Sequence, residues 1–136
     1  HPRTMKMIHE KNISFNPLIR VLKPLGFIDY NKLQIESKVV LSDSGTISEE
    51  SSIMRFDALN IREAHERPEA MEEAAVMMVG LKRDRVLQGI EILNKKEVFK
   101  TNIVHDYSMN NVSEKILKIL LSYTSYVNRV VWSKIE

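Results

Sequence analysis

Ser44, Gly45 and Thr46 have the clearest potential for chemistry in this sequence, and they come shortly after an apolar run at residues 39–41. In open α/β sheets, ligands bind beyond the carboxyl ends of the strands. There the following helix presents unpaired backbone N–H groups and the positive end of its dipole. Glycine lets an anion approach the backbone closely, and the two hydroxyl groups add hydrogen-bond donors. The segment therefore predicts a cradle for a phosphate or diphosphate.

Two neighbouring carboxylates, Glu49 and Glu50, follow this cradle. On a helix they point about 100° apart, so they cannot act as a pair on one face. One can cap the helix while the other accepts hydrogen bonds from the sugar hydroxyls of a ligand. A purely structural helix start is the alternative, because Thr46 and Glu49 have the spacing of a capping box. A Walker loop and a dinucleotide fingerprint are both excluded, since no Gly-Lys-Ser/Thr follows and only one glycine is present.

A second polar cluster contains Arg62, His65 and Arg67, which follow another apolar run. The planar guanidinium group suits phosphate or carboxylate ligands. Pro68 and the acidic residues after it are typical of a helix start, so a solvated loop leading into an acidic helix is the alternative. No two histidines have metal-ligand spacing, and we therefore predict no metal site.

Short apolar runs alternate with helical periodicity along most of the chain, which predicts an α/β fold: a Rossmann-like parallel sheet with helices on both faces. The apolar runs suit strands that are buried on both sides. Strands are expected at residues 17–22, 39–43, 58–62 and 76–80, and helices at residues 4–11, 28–38, 47–56 and 83–96.

The last segment, residues 111–136, has helical periodicity with apolar residues on more than one side. Asn111 and Glu114 have capping-box spacing. The segment either closes the local core or also packs against another domain. Its lysine and arginine residues argue against a membrane span. We therefore divide the chain into a domain at residues 1–110 and a C-terminal helix at residues 111–136.

The bulk composition excludes several classes of protein. The 136 residues are 43% hydrophobic and 28% charged, a balance that permits a folded core. The net charge of +2, with both signs interspersed, argues against a nucleic-acid surface. The chain has no cysteine, which excludes disulfides and thiolate zinc sites and is compatible with the cytoplasm. Because the sequence begins on His-Pro without a methionine, we expect it to be a domain of a larger protein.

These motifs together resemble the C-terminal half of the non-hydrolysing UDP-N-acetylglucosamine 2-epimerases. The resemblance covers essentially the whole chain. It rests on the opening HPRT, KPLGFIDY at residues 23–30, SDSGTISEESSI at 42–53, LNIREAHERPEAMEEA at 59–74 and the closing YTSYVNRVVWSKIE. Thr46 stands where the family commonly has a second glycine, and Glu63-Ala64-His65 stands where it has Asp-Thr-Thr. These departures resemble the branch that makes UDP-N-acetyl-L-fucosamine for capsule or O-antigen.

The resemblance implies the C-terminal half of a GT-B-like two-domain fold, with the active site between the two halves. It implies UDP and a UDP-N-acetyl amino sugar as ligands, and inversion at C2 by elimination and re-addition of UDP through a 2-acetamidoglycal. It also implies a homodimeric full-length enzyme that needs neither a nicotinamide cofactor nor a metal. Acids and bases that move the C2 proton are expected in the missing N-terminal half, so the isolated chain is expected to be inactive.

Individual residues take roles from the same resemblance. Those expected to bind UDP share positions with the family's nucleotide site. Ser44, Gly45 and Thr46 would hold the diphosphate, Glu50 the ribose, Tyr30 and the backbone at Leu25 the uracil, and Arg67 the sugar-phosphate, with His1 and His65 as further candidates. Two alternatives stay open, namely the UDP-binding half of a GT-B glycosyltransferase and a non-catalytic sugar-nucleotide-binding module.

Overall fold

A three-stranded parallel sheet forms the centre of the fold in the computed structural model, which describes residues 1–64, 66–95 and 103–134. The strands are β1 (Val40–Ser42), β2 (Ala58–Asn60) and β3 (Met77–Met78), in that order across the sheet.

A helix follows each strand, as parallel connections require. The helices of the described residues are α1 (Pro2–Glu10), α2 (Phe27–Glu36), α3 (Ile47–Met54), α4 (Pro68–Glu72), α5 (Arg83–Asn94) and α6 (Val112–Val130), with a 3-10 helix at His105–Ser108. Each of the predicted helices has an observed counterpart, and so do the last three predicted strands. The boundaries differ by a few residues, and the strands are shorter than expected.

Helices cover both faces of the sheet, as two adjacent residues of β2 show. Successive side chains of a strand point to opposite faces. Ala58 of β2 packs in a cluster with Ile47 of α3. The next residue, Leu59, faces α5. There its methyl carbons lie 3.0 and 3.1 Å from the position that a Cβ on Gly89 would occupy. The predicted α/β class, with helices on both faces of a parallel sheet, is confirmed.

Two clusters of buried apolar residues pack the helices onto the sheet and onto one another. Complete burial of a valine, isoleucine or phenylalanine side chain contributes about 1.5–3 kcal/mol to the free energy of folding. The first cluster packs α3 against the sheet, and the second packs α4 and the segment before β3 against the segment before α6. The first contains Ile47, Phe56, Ala58 and Val76 with Val40 and Met54 packed against it, and the second contains Ala70, Ala75 and Val104 with Tyr107.

Residues 17–22 form no strand, so this prediction is wrong. Within the described residues β1 pairs with β2 alone, and the segment therefore joins no ladder. Pro17 begins the segment and Pro24 follows it by two positions, and neither supplies an N–H group for a ladder. Leu18 is 90% exposed, so the apolar run does not mark a buried strand here.

The final helix, α6, has 19 residues and no buried one among them. It is about 30 Å long. The expected capping box is absent, since the Asn111 side chain makes no capping hydrogen bond. None of the helices in the described residues combines the length and hydropathy needed to cross a lipid bilayer. The exposed apolar residues of α6 are Val112, Ile116, Leu117, Ile119, Leu120, Leu121, Tyr123, Tyr126 and Val130.

Gly89 allows α5 to approach the sheet closely, which gives a stability test. A Cβ at this position would lie 3.0 Å from both Leu59 Cδ1 and Val79 Cγ1. Gly89→Val should therefore lower the free energy of unfolding by about 1–3 kcal/mol through overpacking. Chemical denaturation monitored by circular dichroism measures this loss. Glu91→Val, at an exposed position of the same helix, is the control, and an equal loss in both variants would contradict the close approach.

Candidate functional site

Two loops meet at one edge of the sheet, because the strands before them are parallel neighbours. Residues 43–46 connect β1 to α3, and residues 61–67 connect β2 to α4. Parallel strands end at the same edge, where ligands bind in open α/β sheets. The structure thus brings the two polar clusters identified in the sequence together.

The first loop is ordered by its own hydroxyl groups. The Ser44 N–H donates to Ser42 Oγ at 3.1 Å, and the Thr46 N–H donates to Ser44 Oγ at 3.3 Å. The hydroxyl groups of Ser44 and Thr46 are themselves 2.9 Å apart. Within the described residues, the N–H groups of Gly45 and Ile47 donate to no acceptor. These amides are the backbone donors that the start of α3 offers to an anion.

Thr46 does not cap α3 in the way that the capping-box spacing suggests. It occupies the N-cap position, but its backbone is already helical and its side chain makes no capping hydrogen bond. Its hydroxyl instead donates to Glu50 Oε1 at 2.9 Å. The alternative that Thr46 serves only to cap α3 therefore fails. Its side chain instead holds the carboxylate of Glu50, one helical turn further along.

Glu50 receives a second hydrogen bond from α2. Gln34 Nε2 donates to Glu50 Oε2 at 2.6 Å, so each carboxylate oxygen has one donor. Gln34 is buried, with 3% of its surface exposed. The Glu50 carboxylate is consequently held between α2 and the loop that precedes α3.

Arg67 reaches from the second loop to the first turn of α3. Its Nε donates to Glu49 Oε1, and this contact raises the pKa of Arg67, first through the hydrogen bond and then through the charge of Glu49. A Cβ on Gly45 would lie only 2.9 Å from Arg67 Nη1. The lack of a side chain at position 45 therefore leaves room for the guanidinium group beside the cradle.

A cavity of about 480 Å³ lies between α2, β1 and the segment before α2. Three residues expected at the nucleotide site, His1, Leu25 and Tyr30, line it. Gln34 lines it as well and connects it to Glu50 through the hydrogen bond described above. The structure thus groups the predicted residues into an anion cradle and an adjoining cavity, with Gln34 between them.

The sequence and the fold both match one family of known proteins. Residues 1–121 match the family described as UDP-N-acetylglucosamine 2-epimerase. This chain belongs to the UDP-N-acetylglucosamine 2-epimerase family.

Relatives of this epimerase-family chain are known in sequence and in structure. It is 31% identical over 131 residues to a UDP-N-acetylglucosamine 2-epimerase of Methanocaldococcus jannaschii, covering 93% of this chain and 34% of the relative. The Rickettsia bellii enzyme structure is 42% identical, with a TM-score of 0.74, and the match covers 98% of this chain and 38% of that one. The M. jannaschii enzyme in complex with UDP-GlcNAc and UDP is 30% identical, with a TM-score of 0.69, over 90% and 34% of the two chains. The chain thus spans about a third of its relatives' length, and these structural neighbours have the expected GT-B-like fold.

Two sequence-based expectations remain, namely the candidate residue His65 and the absence of a metal site. His65 lies outside the described residues. In residues 1–64, 66–95 and 103–134, no three His, Asp or Glu side chains cluster so as to hold a metal ion.

Several polar residues of this epimerase-family site were not identified from the sequence. Gln34, Ser48 and Asn60 are buried, and each has a side-chain oxygen without a hydrogen-bond partner in the described residues. Ser48 and Asn60 lie near Gly45 and Arg67, between the two loops. Asn60 could have been noticed as a polar residue ending an apolar strand. Gln34 gives no such signal, since its partner is 16 positions away.

Tyr107 forms a hydrogen bond to α4, the helix that follows the second loop. Its hydroxyl donates to Glu69 Oε1 at 2.8 Å, and the Val104 N–H nearby donates to Ser52 Oγ at 2.9 Å. Burial raises the pKa of Tyr107 above the ordinary value for tyrosine, and the hydrogen bond to Glu69 raises it further.

The raised pKa of Tyr107 predicts a pH dependence. Because the folded pKa exceeds the unfolded value of about 10, this stabilisation is complete below pH 10 and declines as the pH rises toward the folded pKa. The free energy of unfolding of the parent should therefore fall more steeply above pH 10 than that of Tyr107→Phe. Denaturation curves at several alkaline pH values measure this difference, and Tyr123→Phe on exposed α6 is the control. Parallel declines in the parent and Tyr107→Phe would contradict the assignment.

Proposed function

We propose that this chain is the UDP-binding half of a UDP-N-acetyl-hexosamine 2-epimerase. The observation that carries the proposal is the meeting of the Ser44–Thr46 loop with Arg67 at the carboxyl edge of a parallel sheet, in a member of this family. Free backbone N–H groups, hydroxyl groups and a guanidinium group converge there. This set of donors suits a diphosphate better than a neutral ligand.

The parts of UDP are assigned to neighbouring surfaces. The Ser44, Gly45 and Thr46 loop holds the diphosphate through the N–H groups of Gly45 and Ile47 and the hydroxyl of Ser44, while the hydroxyl of Thr46 stays on Glu50. Arg67 lies near the sugar-phosphate. Glu50 accepts hydrogen bonds from the ribose hydroxyls. It stands one helical turn beyond Thr46 on α3.

The uracil is assigned to the cavity of about 480 Å³ that Gln34 lines. Tyr30 offers an aromatic ring, and the backbone near Leu25 offers hydrogen-bonding groups to the base edge. His1 lines the same cavity and is a further candidate contact, as is His65 by its place in the sequence.

The proposed reaction inverts the configuration at C2 without a nicotinamide cofactor. A base removes the C2 proton as the C1–O bond breaks, UDP leaves with the bonding electrons, and a 2-acetamidoglycal forms. A proton then adds to C2 on the opposite face while a UDP oxygen bonds to C1. Donors fixed on the leaving diphosphate stabilise the charge that develops there, and each 1.36 kcal/mol of this stabilisation gives about a tenfold rate increase.

Other parts of the reaction are assigned outside this chain. The acids and bases that move the C2 proton belong to an N-terminal domain that closes over the nucleotide. The exposed apolar surface of α6 is proposed to contact that domain, which explains a helix with no buried residue. The full-length enzyme is proposed to be a homodimer.

The product is proposed to be UDP-N-acetyl-L-fucosamine for capsular polysaccharide or O-antigen. Thr46 and the Glu63-Ala64-His65 segment support this branch over the one that keeps a second glycine in the cradle. Family membership favours the epimerase over a GT-B glycosyltransferase half.

Calorimetric titrations with UDP and uridine test the assignment. Ser44→Ala should weaken UDP binding about tenfold, the effect of one hydrogen bond to a charged group, and leave uridine binding unchanged. Glu50→Ala should weaken both ligands by a similar factor, because both carry the ribose. Ser125→Ala on α6 is the control. Unchanged affinities in both site variants would remove this nucleotide site.

The isolated chain should also lack epimerase activity, because it lacks the groups that move the C2 proton. A coupled assay that follows conversion of a UDP-N-acetyl-hexosamine at C2 measures this, and a full-length family member is the positive control. Turnover by the isolated chain would show that the catalytic acid and base lie in these 136 residues.

A further inference from the structure

The carboxylate of Glu50 is held at both oxygens. Thr46 Oγ1 donates to Oε1 at 2.9 Å, and Gln34 Nε2 donates to Oε2 at 2.6 Å. A free glutamate side chain rotates about several bonds, whereas two donors from different elements fix the plane of its carboxylate. Fixed polar groups bind and discriminate better than mobile ones, because no ordering is needed when the ligand arrives.

Gln34 is an unexpected residue at its position on α2. It is 3% exposed, and its Oε1 is buried without a hydrogen-bond partner in the described residues. An unpaired buried amide oxygen destabilises a fold, and an apolar side chain of the same shape would avoid that penalty. Stability alone therefore does not explain a glutamine here. In the part of the chain that the structure describes, its side chain makes one hydrogen bond, which goes to Glu50.

Gln34 also lines the cavity that contains Tyr30 and Leu25. It is therefore the side chain that connects the wall of this cavity to the carboxylate beside the cradle. A nucleoside diphosphate that spans both regions places its ribose between them. This location matches a residue that controls how the sugar hydroxyls are recognised.

We infer that Gln34 is a positioning residue, which orients Glu50 so that the site selects ribonucleotides over 2′-deoxyribonucleotides. The inference rests on the proposed function in assigning the ribose to Glu50. Thr46 shares the task from the other oxygen. With either donor removed, the carboxylate rotates away from the orientation in which it accepts from the ribose, and selectivity falls.

The test compares UDP, 2′-deoxy-UDP and uridine by calorimetry on the 136-residue chain. The parent should bind UDP about tenfold more tightly than 2′-deoxy-UDP, the effect of one hydrogen bond to a carboxylate. Gln34→Met keeps the side-chain length and removes the donor, so the preference should fall to about threefold or less. The ratio of UDP to uridine affinity should stay unchanged, because the diphosphate cradle is intact. A general loss of structure would lower that ratio as well.

Ile35→Met is the matched control, since Ile35 is the next residue on α2 and is half exposed. It should keep the full preference for UDP. Thr46→Val is a second variant whose exposed position keeps the core intact, so it carries the test if Gln34→Met does not fold. It should also lower the preference. The double variant should lose less than the sum of the two effects, because both donors act on one carboxylate.

The outcomes separate the inference from the proposal beneath it. If Glu50→Ala abolishes the preference for UDP while folded Gln34→Met and Thr46→Val both retain it, the positioning role is overturned and the nucleotide site stands. If the parent does not distinguish UDP from 2′-deoxy-UDP, or Glu50→Ala leaves the preference unchanged, the ribose assignment fails. The inference then fails with it.

Discussion

The ion pair between Glu49 and Arg67 joins the second loop of the candidate site to the first turn of α3, the helix that follows the first loop. Each loop follows a different strand, and each by itself is a short polar connection. The parallel pairing of β1 with β2 brings the loops to one edge, and the ion pair then sets how Arg67 lies across Gly45. Both partners keep about a third of their side-chain surface exposed, so the pair contributes more to local geometry than to global stability.

The backbone arrangement could be predicted well from the sequence. Apolar runs at three of the four predicted strands, and helical periodicity between them, were enough to indicate the parallel sheet and the helices on both of its faces. The segment at residues 17–22 misled because hydrophobicity alone does not supply a partner for a ladder. Its leucines are exposed, and one proline begins the segment while another follows shortly after its end. An apolar run can therefore lie outside the sheet.

The site could be predicted only in part, for a physical reason. Short sequence motifs indicate backbone conformation and charge. The candidate roles of Ser44, Gly45, Thr46 and Arg67 rest on these two properties, so these residues could be found from the sequence. Gln34 and Tyr107 act through contacts with residues 16 and 38 positions away, which no local pattern records. Thr46 is a similar case: the sequence spacing suggests a capping box with Glu49, and a hydrogen bond to Glu50 is observed. Adjacent glutamates three and four positions after a threonine allow either contact on a helix.

The shared carboxylate at Glu50 has an evolutionary consequence. Because Gln34 and Thr46 donate to the same side chain, the effect of a substitution at one position depends on the residue at the other. This is epistasis between a helix and a loop that are distant in sequence. With glycine at position 46, the donor at position 34 would be the remaining one of these two on the carboxylate, so a substitution at position 34 would then have a larger effect.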